Sequence, residues 1–314
     1  MSRPRVYVSL PLTGPMGGTG RELLRAAELA VEQHENPVGV VPLDSFADDR
    51  EEQAAAHATR AAADPGALAY LGDFHSSQVQ RTAPILAAAD MLTVAPVATF
   101  ASLQGPTLVR LMPHDGVGAR AIAGWLVDAR VHRLLVVHDH GRDYGVSVGA
   151  MCTDAARSRG IDARSRPVWN HDERPADDLG DADAVLYVGV AGSGAAGMWR
   201  ELHESNPQLW LLGSEGVADP RFAREIPSTA AERTRFFVAP RAPLPFYGFE
   251  SMALILDSIK AGEGVRASTV HAARTTRERS SILGRYSIDK QGHTTSTAYG
   301  RLRIAGGELV WDGG

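Results

Sequence analysis

The sequence is poor in residues that mark several classes of protein. Its 314 residues include one cysteine, Cys152, which excludes an intrachain disulfide and a cysteine-based zinc cluster. Only two of its 32 basic residues are lysines, Lys260 and Lys290, and 37 Asp and Glu residues give a formal net charge of −5. A nucleic-acid-binding protein needs a basic surface to neutralise phosphates, so we expect no nucleic-acid partner.

Long apolar runs are also missing. The most apolar region, residues 121–137, is interrupted by charged side chains, so no segment approaches the roughly 20 apolar residues of a membrane-spanning helix. The first apolar run, Val6–Leu10, is too short for the core of a secretory signal peptide. We therefore expect either a protein that is not exported or a chain from which the export signal has been removed.

Short apolar runs alternate with segments of helical periodicity over most of the sequence. Val6–Leu10, Leu134–His138 and Ala184–Val188 are typical of buried strands, and each is followed by a helical pattern. This alternation predicts an α/β fold with parallel sheets covered by helices on both faces, and the length predicts two such sheets. After residue 239 the pattern changes to two helices and several short strands, which predicts that the end of the chain completes earlier sheets.

One motif favours an enzyme. Gly192–Gly197 has the G-x-G-x-x-G spacing between an apolar strand and a helix, and Glu215 follows it at a distance suited to a ribose-binding acid. The motif therefore allows a nucleotide-cofactor enzyme. The same small residues also let a helix pack closely against a sheet, so a purely structural role stays open. No Walker A motif is present.

Three loops that follow predicted strands favour a binding protein. Residues 11–20, 72–78 and 96–100 carry small and hydroxyl side chains at the strand ends where doubly wound sheets bind ligands. Ser76, Ser77 and Thr99 could receive a carboxylate at a helix N-terminus. Alternatively, Ser77 with Gln80 and Thr19 with Glu22 fit the capping box, in which the hydroxyl only caps a helix. In that case Ser77 would cap the helix N-terminus, and the Ser76 hydroxyl would remain available to bind a ligand.

The order of these motifs resembles a known family. The sequence is similar to the type I periplasmic binding proteins, specifically the branched-chain amino acid (leucine/isoleucine/valine) solute-binding proteins of ABC transporters. The matching segments run through nearly the whole chain: Pro11–Gly20, Asp48–Asp49, Gly72–Ser77, Ala95–Thr99, Arg110–Pro113, His138–Gly145 and Gly213–Ala218.

The resemblance implies a fold of two doubly wound parallel-sheet lobes joined by three crossings. Lobe one would comprise residues 1–116 and 242–287, and lobe two residues 117–241 and 288–314. The lobes would close on an amino acid or related zwitterion and deliver it to a membrane permease. The resemblance implies no reaction, no cofactor and no metal, and it implies an extracytoplasmic location.

The resemblance also assigns roles to single residues. Ser76 and Thr99 would hold the ligand carboxylate, and the Ala98 main chain would contact the ligand backbone. Tyr144 would close from the second lobe, and Glu215 would receive the ammonium group.

The chain departs from the leucine-binding pattern at two positions that are often aromatic. Thr19 occupies one, and Val190 begins the loop that carries the other, so the side-chain pocket is expected to be reshaped, with Phe100 among its candidate walls. The absence of a visible export signal leaves a second interpretation, in which the same fold senses a ligand inside a cytoplasmic regulator or receptor.

Overall fold

The computed structural model describes residues 3–35, 38–140, 143–168, 175–189, 195–239, 243–297 and 299–312. The chain divides into two compact units. Unit 1 comprises Met1–His114 and Ala242–Thr297, and unit 2 comprises Asp115–Arg241 and Ala298–Gly314. Each unit is a mostly parallel sheet flanked by helices, which confirms the predicted α/β fold class.

Unit 1 contains, within its described residues, a five-stranded parallel sheet of order β2-β1-β3-β4-β5. Elements are numbered along the whole chain. The strands are β1 (Arg5–Leu10), β2 (Gly39–Asp44), β3 (Ala67–Leu71), β4 (Leu92–Ala95) and β5 (Leu108–Arg110). The helices are α1 (Gly17–Gln33), α2 (Arg50–Ala63), α3 (Ser76–Ala87), α9 (Leu244–Ala261) and α10 (Arg266–Arg274), and a hairpin joins β11 (Arg279–Ser281) to β12 (Gly284–Tyr286).

Apolar side chains at helical spacing hold these helices on the sheet. In α1 the buried residues Leu23, Ala27, Ala30 and Val31 recur every three or four positions and therefore share one face. Helix α9 packs against α1, so the second segment of unit 1 completes a layer that the first segment begins.

Unit 2 contains, among its described residues, a seven-stranded sheet of order β14-β13-β10-β9-β8-β6-β7. The strands are β6 (Arg133–Asp139), β7 (Asp162–Val168), β8 (Ala184–Val188), β9 (Trp210–Gly213), β10 (Thr234–Val238), β13 (Gly300–Ala305) and β14 (Glu308–Trp311). The helices are α4 (Asp115–Asp128), α5 (Asp143–Arg157), α6 (Ala195–Ser205), α7 (Pro220–Glu225) and α8 (Ser228–Ala231). The described pairings of this sheet are parallel except for β10 with β13 and β13 with β14.

The core of unit 2 is built around a buried tryptophan. Trp199 has no exposed surface, and its ring lies against Phe222 and Phe236. Its indole N–H donates to the Thr234 hydroxyl at 3.1 Å, so the polar edge of the ring is satisfied inside the core.

Residues 288–297 belong to unit 1, whereas the sequence analysis grouped them with lobe two. The backbone explains the difference. The Arg110 N–H donates to the Gly292 carbonyl at 2.8 Å, and the Thr294 N–H donates to the Arg110 carbonyl at 2.9 Å. These bonds attach the segment beside β5. The sequence analysis also ended the first segment of lobe one at residue 116. In the structure that segment ends at His114, and Asp115 begins α4 and lies in unit 2.

None of the described helices combines the length and the apolar character that a membrane span requires.

Candidate functional site

The strand order of each sheet identifies the edge where a ligand is expected. In unit 1 the chain leaves β1 toward β2 on one side, and β3 follows on the other, so the order reverses between β1 and β3. In unit 2 the same reversal lies between β6 and β8. Doubly wound sheets bind ligands at the carboxyl ends of strands beside such a reversal.

Ser76 occupies the first position of α3, directly beyond β3. Its Oγ accepts the backbone N–H of Thr99 at 3.1 Å and that of Phe100 at 3.2 Å. Because these bonds use the oxygen as an acceptor, the hydroxyl proton remains to be donated. The first turn of α3 contains no acidic residue, so the partial positive charge at this helix N-terminus is not neutralised within the helix. The arrangement suits an anion.

The capping interpretation of Ser77 and Thr19 is wrong. Helix α3 is preceded by His75 at the N-cap position, and α1 by Met16, so both hydroxyl residues lie inside the first helical turn. The Ser77 hydroxyl donates instead to Glu51 Oε1 at 2.7 Å. This bond is the main cause that lowers the pKa of Glu51 below its ordinary value.

The loop after β4 is fixed by packing. Ala98 and Thr99 are buried. The Phe100 carbonyl accepts a bond of 2.6 Å from the guanidinium of the fully buried Arg110, and the Phe100 ring packs, half-buried, against the core around Val79 and Leu103. The backbone N–H groups that meet Ser76 are therefore held in place by the core of unit 1.

A cavity of about 360 Å³ lies in unit 1 at the carboxyl ends of β1 and β2. It mixes apolar and charged side chains. Its lining residues are Pro11, Pro15, Met16, Ser45, Phe46, Ala47, Asp48, Arg50, Glu51 and His75. Of these residues, the sequence analysis named those of the first loop, Asp48 and His75, but it did not predict that they line one cavity.

In unit 2, Glu215 begins a single 3₁₀ turn, Glu215–Val217, at the end of β9. Its carboxylate accepts the Ala239 N–H at 3.2 Å. Among the described residues no cationic side chain forms an ion pair with it. Loss of water around the carboxylate raises its pKa to about 7, and the single backbone hydrogen bond offsets only part of that rise.

Tyr144 and Tyr299 lie beside Glu215. A small cavity of about 20 Å³ is lined by both rings together with Asp115, Ser214 and Glu215. Burial, followed by the nearby Glu215 charge, raises the pKa of both tyrosines, so their hydroxyls stay protonated. The result is a pocket with a carboxylate and neutral hydroxyl groups, which is suited to a cationic hydrogen-bond donor.

Gly118 makes room for one of these rings. A Cβ atom at this position of α4 would lie 2.6 Å from Cζ of Tyr299, which is too close for any side chain unless the ring shifts. The sequence analysis missed Tyr299, because β13 brings it to Glu215 from a distant part of the chain. Asp115 was missed because it is 100 residues away from Glu215 in the sequence, although both line the same cavity. The only signal in the sequence was the residue type of Asp115 and Tyr299, since acidic and tyrosine side chains are common in polar sites.

Two features of the sequence analysis, the Val190 loop and the start of the glycine motif, lie outside the described residues. Val190 lies outside the described residues, as do Gly192, Ser193 and Gly194 of the glycine motif. The remainder of the motif, Ala195–Gly197, starts helix α6. Within the described ranges, no group of three or more His, Cys, Asp or Glu side chains is placed to hold a metal ion.

Comparison with known proteins gives the family and the fold of this chain. A family model described as Periplasmic binding protein matches residues 5–230, so the chain belongs to that family. The match confirms the resemblance found in the sequence motifs.

One sequence relative and two solved structures illustrate the similarity. The Leu/Ile/Val-binding protein homolog 3 of Brucella melitensis is 28% identical over 250 residues, which span 74% of this chain and 66% of that protein. An ABC transporter substrate-binding protein from Desulfitobacterium hafniense, solved in complex with Leu, has a TM-score of 0.80 at 17% identity and covers 99% of this chain and 100% of its own. A solute-binding protein from R. palustris in complex with benzoate has a TM-score of 0.74 at 16% identity, with 99% and 96% covered.

Proposed function

We propose that this protein is a solute-binding protein that captures a small amino acid or a related zwitterion for an ABC transporter. Family membership supports a binding role without a chemical reaction. The Leu/Ile/Val-binding name of the Brucella relative supports an amino acid as the ligand class. The permease of the transporter is the partner, and the protein acts outside the cytoplasm.

The observation that carries the proposal is the environment of Glu215. A carboxylate with a pKa raised to about 7 by burial has lost solvation, and one backbone N–H replaces little of it. A ligand ammonium would supply both the missing charge and the missing hydrogen bonds. The protonated hydroxyls of Tyr144 and Tyr299 add polar atoms beside that position.

Unit 1 carries a site of the opposite charge preference. The Ser76 hydroxyl and the first turn of α3 favour a carboxylate, as described above, and the buried loop at Ala98 and Thr99 fixes their geometry. An amino acid carries one anionic and one cationic group at its α-carbon. Each unit, taken by itself, carries a site for one of these two groups, whereas a simple carboxylic acid such as benzoate matches only the site in unit 1.

Substitution of Glu215 tests the proposal. We expect the wild-type protein to bind one or more L-amino acids in isothermal titration calorimetry. Glu215→Gln should weaken that binding by about 100-fold, because it removes the charge that faces the ammonium group. Glu225→Gln, at an exposed position of the same unit, is the matched control and should leave the affinity unchanged.

Two results would contradict the proposal. One is equal affinity of the wild-type protein and the Glu215→Gln variant for amino acids. The other is binding of benzoate with no binding of any amino acid, which would make the carboxylate subsite the only one in use.

A further inference from the structure

A second groove of unit 1 shares no residue with the cavity at β1 and β2 or with the sites at Ser76 and Glu215. Helix α10, the loop before β5 and the turn after β12 form its walls. Its volume of about 450 Å³ falls within the range of small-molecule sites. All of its lining residues belong to unit 1. They are Pro106, Ala267, Val270, His271, Arg274, Thr275, Arg277, Asp289 and Lys290.

One face of α10 forms a wall of this groove. Ala267, Val270, His271 and Arg274 follow one another at intervals of three, one and three residues, so their side chains lie on the same side of the helix. Val270 and Ala267, together with Pro106 before β5, give the groove an apolar part. The carbon skeleton of a ligand would cover this part.

Arg274 fixes the two walls to each other. Its guanidinium donates to the Gly105 and Leu108 carbonyls at 2.9 and 2.8 Å, and to the Lys290 carbonyl at 2.5 Å. Gly292 allows the turn to approach β5 this closely. Its φ is +91°, and a Cβ atom there would lie 2.1 Å from the Leu108 carbonyl oxygen. The groove is therefore formed by the packing of unit 1 before any ligand binds.

The one carboxylate of the lining holds the turn in shape. Asp289 Oδ1 accepts the backbone N–H groups of Gln291 and His293 at 2.9 and 2.8 Å. The Asp289 N–H in turn donates to the His293 carbonyl at 2.9 Å. This carboxylate is thus engaged by the backbone, and the Lys290 side chain beside it is presented to the groove.

Positive charge exceeds negative charge in the lining. Arg274, Arg277 and Lys290 carry three positive charges against the single negative charge of Asp289, which leaves a surplus of two. Arg277 donates through Nη1 to two backbone carbonyls, and within the described part of the chain neither Arg277 nor Lys290 forms an ion pair. Both side chains are exposed. This surplus is local, because the whole chain has a formal net charge of −5.

The size of the surplus favours one kind of anion. A phosphate monoester carries about −1.5 to −2 charges at pH 7 and three acceptor oxygens, whereas a carboxylate carries a single charge. The planar guanidinium of Arg277 matches the geometry of phosphate oxygens, and Lys290 adds a second cation. The His271 ring offers an N–H donor in each of its protonation states.

We propose that this groove binds a ligand that carries a phosphate monoester. Arg277 and Lys290 hold the phosphate, and the carbon skeleton packs on Val270 and Pro106. Such a group occurs in soluble phosphate esters and in the headgroup of phosphatidic acid, and both sources present the same chemistry to the groove. The inference does not depend on the proposed function, because no residue of the amino-acid sites takes part.

Two binding assays on the full chain distinguish the sources. Titration calorimetry with glycerol phosphate tests a soluble ester, and glycerol and acetate are the comparison ligands. Glycerol phosphate should bind at least about tenfold more tightly than acetate, and glycerol should not bind. Co-sedimentation with phosphatidylcholine vesicles, with and without phosphatidic acid, tests the lipid headgroup.

Variants localise the phosphate. Arg277→Gln and Lys290→Gln each remove one positive charge from the groove and should each weaken phosphate binding by about tenfold. Arg285→Gln and Lys260→Gln are the matched controls, since they remove the same charge at exposed positions of unit 1 outside the groove. The controls should leave the affinity unchanged. Thermal unfolding of each variant shows that it is folded.

The pattern of results decides the inference. Weaker binding in the two groove variants alone supports it, with glycerol phosphate for a soluble ligand and with phosphatidic acid vesicles for a lipid. Absence of binding in both assays overturns it. Equal losses in groove variants and controls also overturn it, because they would indicate attraction to the general surface charge, and so does equal affinity for acetate and glycerol phosphate. None of these results bears on amino-acid binding, so failure here leaves the proposed function standing.

Discussion

Glu215 links the pH of the solution to both folding and binding. Its ordinary pKa is 4.5, and the folded protein raises it to about 7. Between these values the unfolded chain holds the carboxylate ionised while the folded chain still binds the proton. The contribution of Glu215 to the free energy of unfolding therefore decreases as pH rises from about 4.5 to about 7, and it is constant below and above that window.

The same pKa predicts pH-dependent affinity. A ligand ammonium needs the ionised form of Glu215, so the affinity for an amino acid should increase by about tenfold between roughly pH 6 and pH 8. Titration calorimetry at several pH values measures this change. The Glu215→Gln variant should lose the dependence, and a wild-type affinity that falls with rising pH would contradict the prediction.

At the scale of the element, Arg266 fastens helix α10 to the rest of unit 1. Its guanidinium donates to four carbonyl oxygens, those of Ala62, Asp64, Ala67 and Ala89, at 3.2, 2.6, 2.9 and 3.3 Å. These carbonyls lie at the end of α2, at the start of β3 and in the turn after α3. One side chain thus joins backbone carbonyls of three neighbouring segments, two of which are helix ends, where carbonyls lack partners within the helix.

Arg266→Lys should destabilise the protein by about 1–3 kcal/mol, because a single ammonium group cannot reach all the carbonyls that the planar guanidinium joins. Urea unfolding followed by circular dichroism measures the change. Arg25→Lys, at an exposed position of α1, provides the control. An equal free energy of unfolding for Arg266→Lys and the wild-type protein would show that these bonds add no net stability.

How much of the structure could be predicted depends on where each element lies. Central strands such as β6 and β8 are buried on both faces and show continuous apolar runs, so the sequence reveals them. β7 was missed because it is an edge strand, and its exposed polar residues break the pattern. The start of α3 at Ser76 was also missed, since its first turn is polar.

The residues of the candidate site likewise fall into those that the sequence reveals and those that only the structure reveals. Glu215 and Ser76 follow strands within short motifs, so sequence reasoning identified them as candidates. Tyr299 reaches Glu215 only because β13 pairs with β10, a contact between distant segments that no local pattern reports. The buried Ser45 hydroxyl, which has no hydrogen-bond partner among the described residues, is likewise a property of the packed structure.

At the scale of the whole molecule, each unit is assembled from two separate segments. The first segment of unit 1 lacks α9, which covers α1 and buries residues such as Met252 and Ile255. We expect the fragment of residues 1–114 to be unfolded or aggregated. A chain that joins residues 1–114 to residues 243–297 through a flexible linker should instead unfold cooperatively.

Circular dichroism during thermal unfolding compares the two fragments. A cooperative transition for residues 1–114 alone would mean that the core of the first segment is sufficient and that α9 is an accessory layer. Absence of a transition in the joined fragment would mean that unit 1 depends on unit 2 for its stability.

The interleaving of segments also determines when the protein can fold during its synthesis. The sheet of unit 2 is complete only after β13 and β14 have been synthesised. Unit 1 is complete only after the residues up to Thr297 have been synthesised. A ribosome must therefore translate the chain as far as Thr297 before unit 1 can be completed. Until then the face of α1 that α9 covers stays exposed on the nascent chain, so we expect unit 1 to be more prone to aggregation during synthesis than a domain built from one continuous segment.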